Sequence, residues 1–215
     1  MSSAKIVVIT GASRGLGLVL VREFDTNGWQ VIGSGRSGQP VDFPRNAIYR
    51  QFDASDSADC EEFWRQLYST YPDARVCLVN NAGGYVSGGL TETKPEDFEQ
   101  QIKSSYFSSV YMTRSLALVY SKAKVINIVS SSALVAHKNN TAYGAAKAAH
   151  MHFFQALQDE FKPERYEITN IYPSDIATHG KNPEAIEPYD LAAFIRQQAE
   201  NSSSYYLRDV TICPN

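Results

Sequence analysis

The chain has 215 residues, of which 43% are hydrophobic and 20% are charged, and its formal net charge is −3. This length suits one domain with enough buried surface to fold without covalent cross-links. The small negative charge provides no basic field that would attract nucleic acid or a membrane surface, so neither is expected as a partner.

Two further features bear on the type of protein. The three cysteines, Cys60, Cys77 and Cys213, have no spacing typical of a disulfide framework or a metal site, so reduced thiols and no bound metal are expected. The apolar run Ile6–Ile9 is too short for a signal peptide or a membrane span. A cytoplasmic location is the resulting expectation.

Short β-branched runs alternate with longer amphipathic segments along the chain. Strands are predicted at Ile6–Ile9, Trp29–Gly33, Ile48–Phe52, Arg75–Val79, Lys124–Val129, Glu167–Tyr172 and Tyr205–Ile212, the first three of them buried. Helices are predicted at about 15–27, 60–70, 95–120, 142–161 and 190–199, with glycine or proline at several of their boundaries. This alternation predicts a parallel sheet with helices on both faces, a single doubly wound α/β (Rossmann) domain over residues 1–215.

A glycine-rich loop, TGASRGLG at residues 10–17, follows the first strand directly. Gly11 permits a tight turn, Gly15 lets the backbone approach a pyrophosphate, and Gly17 lets the helix lie close to the sheet. The helix that begins there directs its free N–H groups and the positive end of its dipole toward an anion. A P-loop would end in Gly-Lys-Ser/Thr, which is missing. The pattern therefore favours a dinucleotide site over a nucleoside-triphosphate site or a plain turn.

Three motifs in this order resemble the short-chain dehydrogenase/reductase family: the loop at 10–17, Asn80-Asn81-Ala82-Gly83 after the fourth strand, and Tyr143-Gly-Ala-Ala-Lys147. The resemblance extends from Lys5 to at least Thr178. It implies an oxidoreductase that transfers a hydride between a nicotinamide cofactor and a carbonyl or alcohol substrate. The cofactor-binding positions that it implies are Gly11, Ser13, Arg14, Gly15, Leu16, Gly17, Arg36, Asp53, Asn81, Ala82, Gly83, Tyr143, Lys147, Pro173, Ile176 and Thr178.

The end of the second strand favours NADP(H) over NAD(H). An acidic residue there would bind the ribose 2′-hydroxyl of NAD, whereas an arginine favours a 2′-phosphate. Residues 33–37 contain no carboxylate, and Arg36 and Arg14 are placed to bind a phosphate. The alternative is that Arg36 is an ordinary solvated arginine. Asp53 lies along the adenine in the family pattern.

Tyr143 and Lys147 are four residues apart on a predicted helix, so their side chains share one face. The ammonium of Lys147, together with an oxidised nicotinamide, is expected to lower the pKa of the phenol toward neutrality. The resemblance implies a substrate-binding serine thirteen residues before the tyrosine, which is Ser130, with Ser131 as the alternative. Ser105 occupies the place of a family asparagine that anchors a proton-relay water. A hydroxyl cannot reproduce an amide's separate donor and acceptor, so an altered relay is expected.

The sequence says less about the substrate-binding side of the site than about the cofactor side. The segment from 179 to 188 is short for the family, which predicts an open cleft, and Ser174 stands where glycine normally follows Pro173. Candidate lining residues are Tyr85, Ala133, His137, Lys138, Ile176 and His179. The family resemblance also implies a homodimer or homotetramer formed through the two long helices.

Two other functions fit parts of the pattern. One is a dinucleotide-binding regulator that has lost turnover; Ser105 and the short segment favour it, whereas retention of Ser130, Tyr143 and Lys147 argues against it. The other is an epimerase or dehydratase, whose relatives usually have a longer C-terminal substrate region. The leading hypothesis is the NADPH-dependent oxidoreductase.

Overall fold

A computed structural model describes residues 4–178 and 182–215. Parallel strands form one seven-stranded sheet in the order β3-β2-β1-β4-β5-β6-β7. The strands are β1 Lys5–Thr10, β2 Gln30–Gly35, β3 Ile48–Gln51, β4 Arg75–Asn80, β5 Ala123–Ile128, β6 Tyr166–Pro173 and β7 Asp209–Ile212. The helices are α1 Gly15–Thr26, α2 Ser57–Thr70, α3 Pro95–Ile102, α4 Ser108–Val119, α5 Thr141–Glu160 and α6 Pro188–Glu200.

The two faces of the sheet are covered by different helices. In β1, Val7 and Ile9 belong to a core with α1 and α6, whereas Ile6 and Val8 belong to a second core with α2, α4 and α5. A strand buried on both faces has no polar alternation, which is why its sequence is a continuous apolar run. The predicted doubly wound α/β fold is confirmed.

A chain of side-chain hydrogen bonds, most of them between buried amides, links neighbouring strands from β4 to β7. The side-chain nitrogen of Asn80 donates to Asn127 (2.9 Å), that of Asn127 to Asn170 (2.9 Å), and that of Asn170 to the carboxylate of Asp209 (3.1 Å). These residues are direct cross-strand partners in β4, β5, β6 and β7. Cross-strand hydrogen bonds between buried side chains help to fix the register of these strands.

Some element boundaries differ from the sequence prediction. The strand predicted at Ile48–Phe52 is β3, an edge strand that is only partly buried, because it has a neighbour on one side alone. Helix α2 begins three residues earlier than predicted because the Asp56 carboxylate accepts hydrogen bonds from the N–H groups of Ala58 (2.8 Å) and Asp59 (3.2 Å).

The helix predicted at 95–120 is not continuous. A π-helical segment, Lys103–Phe107, separates α3 from α4. The Ser108 hydroxyl donates to the Ser104 carbonyl at 2.6 Å and so competes for an acceptor of the helical backbone. The extra residue in the turn brings the buried Ser105 into the wall of the site.

No helix within 4–178 and 182–215 is both long enough and apolar enough to cross a membrane.

Candidate active site

Thr10, the last residue of β1, ties the glycine loop to the segment that follows β4. Its side-chain oxygen accepts hydrogen bonds from the backbone N–H groups of Asn81 (3.0 Å) and Ala82 (2.9 Å). The Asn81 side-chain amide donates in return to the carbonyl oxygens of Thr10 (2.9 Å) and Gly11 (3.2 Å). Two of the three sequence motifs therefore hold each other in place. The side-chain nitrogen of Asn81 uses its hydrogen bonds for the glycine loop.

Close backbone contacts explain the glycines at 11 and 17. Gly11 has φ 65°, and a Cβ there would lie 2.9 Å from the Cα of Ala82. A Cβ at Gly17 would lie 2.1 Å from the carbonyl oxygen of Gly11 and 2.7 Å from Nδ2 of Asn81. The contact that requires Gly17 is thus with the loop itself, which is more local than the approach of helix to sheet expected from the sequence.

The other loop residues differ in what they can offer a ligand. Arg14 is exposed and extended, and no side chain caps the N-terminus of α1. The side chain of Leu16 is buried in the core, so only its backbone N–H can reach a ligand. A Cβ at Gly15 would lie 3.7 Å from the Thr178 methyl group, which places the segment after β6 over the loop.

The residues expected around the adenosine lie at the ends of β2 and β3. Ser13 is beside Gly35, since a Cβ on that glycine would lie 3.7 Å from the Ser13 Cβ. Arg36 follows immediately and is exposed. One oxygen of the Asp53 carboxylate accepts hydrogen bonds from the backbone N–H (2.9 Å) and hydroxyl (2.8 Å) of Ser55. Asp53 therefore has a structural role in this turn, and its other oxygen remains for a ligand.

The segment after β6 closes the site on the side opposite to Arg36. Pro173 ends the strand, and the N–H of Ser174 donates to the carbonyl oxygen of Ile212 in β7 (2.9 Å). Ile176 forms a bridge with Ile186. The serine at 174, where the family usually has glycine, is thus held by the edge strand.

Tyr143 lies in the first turn of α5, with its phenol directed to the carboxyl end of β5. The neighbouring side chain there is Ser130, which is buried and whose oxygen also accepts the N–H of Ser132 (3.1 Å). Burial raises the pKa of Tyr143, while the side-chain contact with Ser130 opposes this rise. Of the two candidate serines, Ser130 is the one whose side chain lowers the pKa of the phenol.

Lys147 is one turn further along α5 and is fully enclosed. Its ammonium donates to the carbonyl oxygen of Ile128 (2.8 Å) and lies 5.7 Å from the centroid of the Tyr143 ring. Burial lowers the pKa of Lys147 to about 8. In the protein without cofactor, burial is the largest influence on the pKa of the phenol and raises it. The lowering expected from Lys147 together with an oxidised nicotinamide stays a prediction.

The buried amine should cost stability, and we expect Lys147→Met to stabilise the cofactor-free protein at pH 7. The shift from 10.5 to about 8 corresponds to about 3 kcal/mol. Leaving the Ile128 carbonyl without its donor removes about 1 kcal/mol of this, for a net gain of about 2 kcal/mol. The gain should be greatest below pH 8 and shrink toward pH 10.5, because the unfolded chain alone keeps the proton in that window.

Urea unfolding at pH 7 and pH 9.5 measures this difference, with Lys138→Met at an exposed loop position as the control. A Lys147→Met protein that is less stable than wild type at both pH values would contradict the expectation.

Ser105 faces the same space as Lys147. The residue between them is Gly83, where a Cβ would lie 3.2 Å from Oγ of Ser105 and 3.8 Å from Nζ of Lys147. The Ser105 oxygen accepts a hydrogen bond from the side-chain amide of Gln101 (2.7 Å). The absence of a side chain at Gly83 leaves the hydroxyl and the amine facing a common position.

The predicted substrate-side residues are only partly brought together. The ring of Tyr85 packs edge-on against Tyr143 with centroids 5.0 Å apart and is largely exposed. Ala133 is half-buried beyond Ser130, whereas His137 and Lys138 are exposed in the loop before α5. His179 lies outside the described residues.

The geometry places a glycine loop, a serine, a tyrosine and a lysine at the carboxyl edge of one parallel sheet. The sequence model of the short chain dehydrogenase family matches residues 5–187, which include all of these groups. This chain is a member of the short-chain dehydrogenase family. Members of the family are oxidoreductases.

Individual relatives support the assignment. The NADP-dependent 3-hydroxy acid dehydrogenase of Salmonella typhi is 30% identical over 179 residues, which cover 78% of this chain and 71% of the relative. The NADPH-dependent 1-acyldihydroxyacetone phosphate reductase of Schizosaccharomyces pombe is 26% identical over 211 residues, which cover 96% of this chain and 69% of the reductase. The crystal structure of serine dehydrogenase from Escherichia coli matches with a TM-score of 0.86 at 25% identity, over 97% of each chain.

Sequence reasoning missed two residues of this short-chain dehydrogenase that shape the site. Thr10 was noted only as the start of the glycine motif, yet its hydroxyl joins two motifs. Gln101 is buried and its side-chain amide donates a hydrogen bond to Ser105. The sequence feature that could have indicated this contact is the four-residue spacing of Gln101 and Ser105 on a predicted helix. That spacing is also common on exposed helical faces, so it does not single out Gln101.

Proposed function

We propose that this protein is an NADP(H)-dependent oxidoreductase that transfers a hydride between the nicotinamide and a carbonyl or alcohol substrate, with Tyr143 as the general acid–base group. The observation that carries the proposal is the meeting of Ser130, Tyr143 and Lys147 beside the glycine loop. The two relatives named above support the cofactor, since both are NADP(H)-dependent by name.

The residues present fit a dinucleotide phosphate. The N-cap residue of α1 is Arg14, whose side chain makes no capping hydrogen bond, so the first N–H groups of the helix remain for a pyrophosphate. Arg14 and Arg36 are exposed and form no salt bridge within the described part of the chain, so both can pair with a 2′-phosphate. Asp53, Asn81 and the segment Pro173–Thr178 complete the cofactor site.

When bound, the nicotinamide supplies or accepts the hydride. For carbonyl reduction, Tyr143 donates its proton to the substrate oxygen while the Ser130 hydroxyl hydrogen-bonds to the same oxygen. Burial keeps the pKa of Tyr143 above its ordinary value, so the phenol carries its proton at neutral pH. In this protonation state Tyr143 can serve as the proton donor that carbonyl reduction needs. Lys147 holds the cofactor ribose and returns a proton to Tyr143 after the reaction.

The proposal is tested by following NADPH oxidation with a panel of aldehydes, ketones, diketones and 3-oxo acids. The acids enter the panel because 3-hydroxy acids are the substrates in the name of one relative. Consumption of NADPH with at least one compound, faster than consumption of NADH, is expected. Tight NADPH binding with no turnover on any compound would favour the regulatory alternative instead.

Cofactor preference should reverse when the positive charge after β2 is replaced. Arg36→Asp removes a charge-assisted contact and adds repulsion, together about 3 kcal/mol, so the ratio of kcat/KM for NADPH over NADH should fall about 100-fold. Arg45→Asp, at another exposed position, should leave the ratio unchanged. An unaltered ratio in the Arg36 variant would remove the charge argument for NADP(H).

Assembly as a homodimer or homotetramer through the long helices stays a prediction, which size-exclusion chromatography with light scattering can test.

A further inference from the structure

Two side chains of the edge strand β3 hold the backbone that follows β2. Nε2 of Gln51 donates to the carbonyl oxygen of Arg36 (3.0 Å), and the hydroxyl of Tyr49 donates to the carbonyl oxygen of Ser37 (2.9 Å). Tyr49 and Gln51 are two residues apart in a strand, so both side chains lie on one face of the sheet. We call these two side chains the β3 clamp.

Gly35, the last residue of β2, leaves room for the Tyr49 side chain to reach Ser37. A Cβ at Gly35 would lie 2.5 Å from the Tyr49 hydroxyl oxygen. Gly35 is also the direct partner of Gln51 in the parallel register, and its carbonyl oxygen accepts the backbone N–H of Phe52 (3.1 Å). The carbonyl groups of residues 35, 36 and 37 are therefore all bonded to β3 or to the residue that follows it.

The crossover between β2 and β3 contains no helix that could fix this backbone instead. Residues 36–47 form turns only, whereas a crossover between parallel strands usually includes an α-helix. The segment 36–47 thus offers an anion no helix N-terminus. The later part of the crossover is held by Phe43, whose buried ring packs edge-on against Tyr49 with centroids 5.1 Å apart. The orientation of residues 36 and 37 depends on the clamp.

Arg36 gains from a backbone that is fixed before a ligand arrives. Its side chain is exposed and forms no salt bridge with the described residues, so the guanidinium is available to a phosphate. An arginine on a loose loop would have to order the loop on binding, which costs affinity. NADH has no 2′-phosphate, so its affinity does not depend on how Arg36 is presented.

We propose that Tyr49 and Gln51 are positioning residues for cofactor selectivity, which hold the backbone of residues 36–37 so that Arg36 faces the 2′-phosphate of NADP(H). The inference rests on the contact between Arg36 and the 2′-phosphate in the proposed function. It adds the edge strand β3 to the elements that decide between the two cofactors. The clamp acts on the phosphate through Arg36.

Binding of cofactor fragments tests the clamp without any turnover. Adenosine 2′,5′-bisphosphate and adenosine 5′-monophosphate differ only in the 2′-phosphate, and isothermal titration calorimetry gives both dissociation constants. Tyr49→Phe and Gln51→Met should each weaken binding of the bisphosphate about threefold, and the double variant about tenfold, because each removes one hydrogen bond to the loop. Binding of the monophosphate should stay within about twofold of wild type.

The control is a double variant on the exposed face of α2, Tyr68→Phe with Gln66→Met, which makes the same chemical changes away from the loop. It should bind both fragments like wild type. A folded clamp variant that binds the bisphosphate like wild type would overturn the proposal. Equal losses for the two fragments would also overturn it, since they would indicate a general loosening of the edge strand.

A mutant cycle with Arg36 separates positioning from a direct contact. In an Arg36→Ala background the two clamp substitutions should change the affinity for the bisphosphate by less than about twofold, because the group that they position is gone. Arg14 remains in this background, so binding stays measurable. A tenfold loss that persists without Arg36 would contradict positioning.

Gly35→Ala breaks the clamp by a second route. The added Cβ displaces the Tyr49 hydroxyl, so this variant should lose affinity for the bisphosphate about as much as Tyr49→Phe does. In the Tyr49→Phe background, where the clashing oxygen is absent, Gly35→Ala should cause no further loss. Losses that multiply would show that the methyl group acts on the ligand directly and would refute the role of the hydroxyl.

The inference and the proposed function can fail separately. If Arg36→Ala narrows the difference between the two fragments but the clamp variants do not, the inference fails and the phosphate contact of Arg36 stands. If the clamp variants behave as expected but the wild-type protein oxidises NADPH with no carbonyl compound, the inference stands and the proposed activity fails.

Discussion

Replacing Tyr143 by phenylalanine is expected to lower kcat for carbonyl reduction by about 1,000-fold, because the reaction then has no positioned proton donor. The ring and its packing against Tyr85 are retained, so the protein should fold as before. Loss of one hydroxyl contact should weaken NADPH binding by no more than about tenfold. Stopped-flow or steady-state NADPH oxidation and a fluorescence titration measure the two quantities.

Tyr85→Phe is the matched control, since the exposed Tyr85 adjoins Tyr143 without entering the proposed proton path. It should change kcat by no more than about threefold. A Tyr143→Phe enzyme that turns over like wild type would end the proposed mechanism, and equal losses in both variants would indicate a general effect of hydroxyl groups in this region rather than proton transfer by Tyr143.

The second large effect is expected at the glycine loop. A Cβ at Gly17 would lie 2.1 Å from the carbonyl oxygen of Gly11. Because this oxygen belongs to the backbone, the clash can be relieved only if the loop moves. Gly17→Ala should therefore weaken NADPH binding at least about 100-fold, because the N–H groups that receive the pyrophosphate move with the loop.

Gly38→Ala serves as the control, since a Cβ there has open space around it. Isothermal titration calorimetry gives the NADPH dissociation constants, and thermal unfolding shows whether each variant is folded. An unchanged dissociation constant in a folded Gly17→Ala protein would contradict the role given to this loop.

The sheet was predictable because its residues carry a local signal. The strand segments Ile6–Ile9 and Val76–Val79 are apolar on both faces. In a chain where strands alternate with helices, a parallel sheet covered by helices on both sides buries both faces of such strands. Element ends were less predictable, since they depend on single contacts such as the cap by Asp56 and the single neighbour of β3.

The helix around Ser105 shows a different limit. Its amphipathic pattern predicts one helix from 95 to 120, whereas the structure inserts a π-helical segment at Lys103–Phe107. Next to this segment, the Ser108 hydroxyl donates to a backbone carbonyl and Gln101 bonds Gly84 and Val86, which lie outside the helix. A periodicity averaged over many residues does not register one extra residue in a turn.

The sequence alone determined the fold class, the glycine loop and the spacing of Tyr143 and Lys147, because each depends on residues close together in the chain. Only the tertiary structure decided that Lys147 is enclosed, with its pKa lowered to about 8, and that Gly83 separates it from Ser105. Burial and close approach arise from segments far apart in sequence, so desolvation, which governs the protonation of these groups, cannot be read from local spacing.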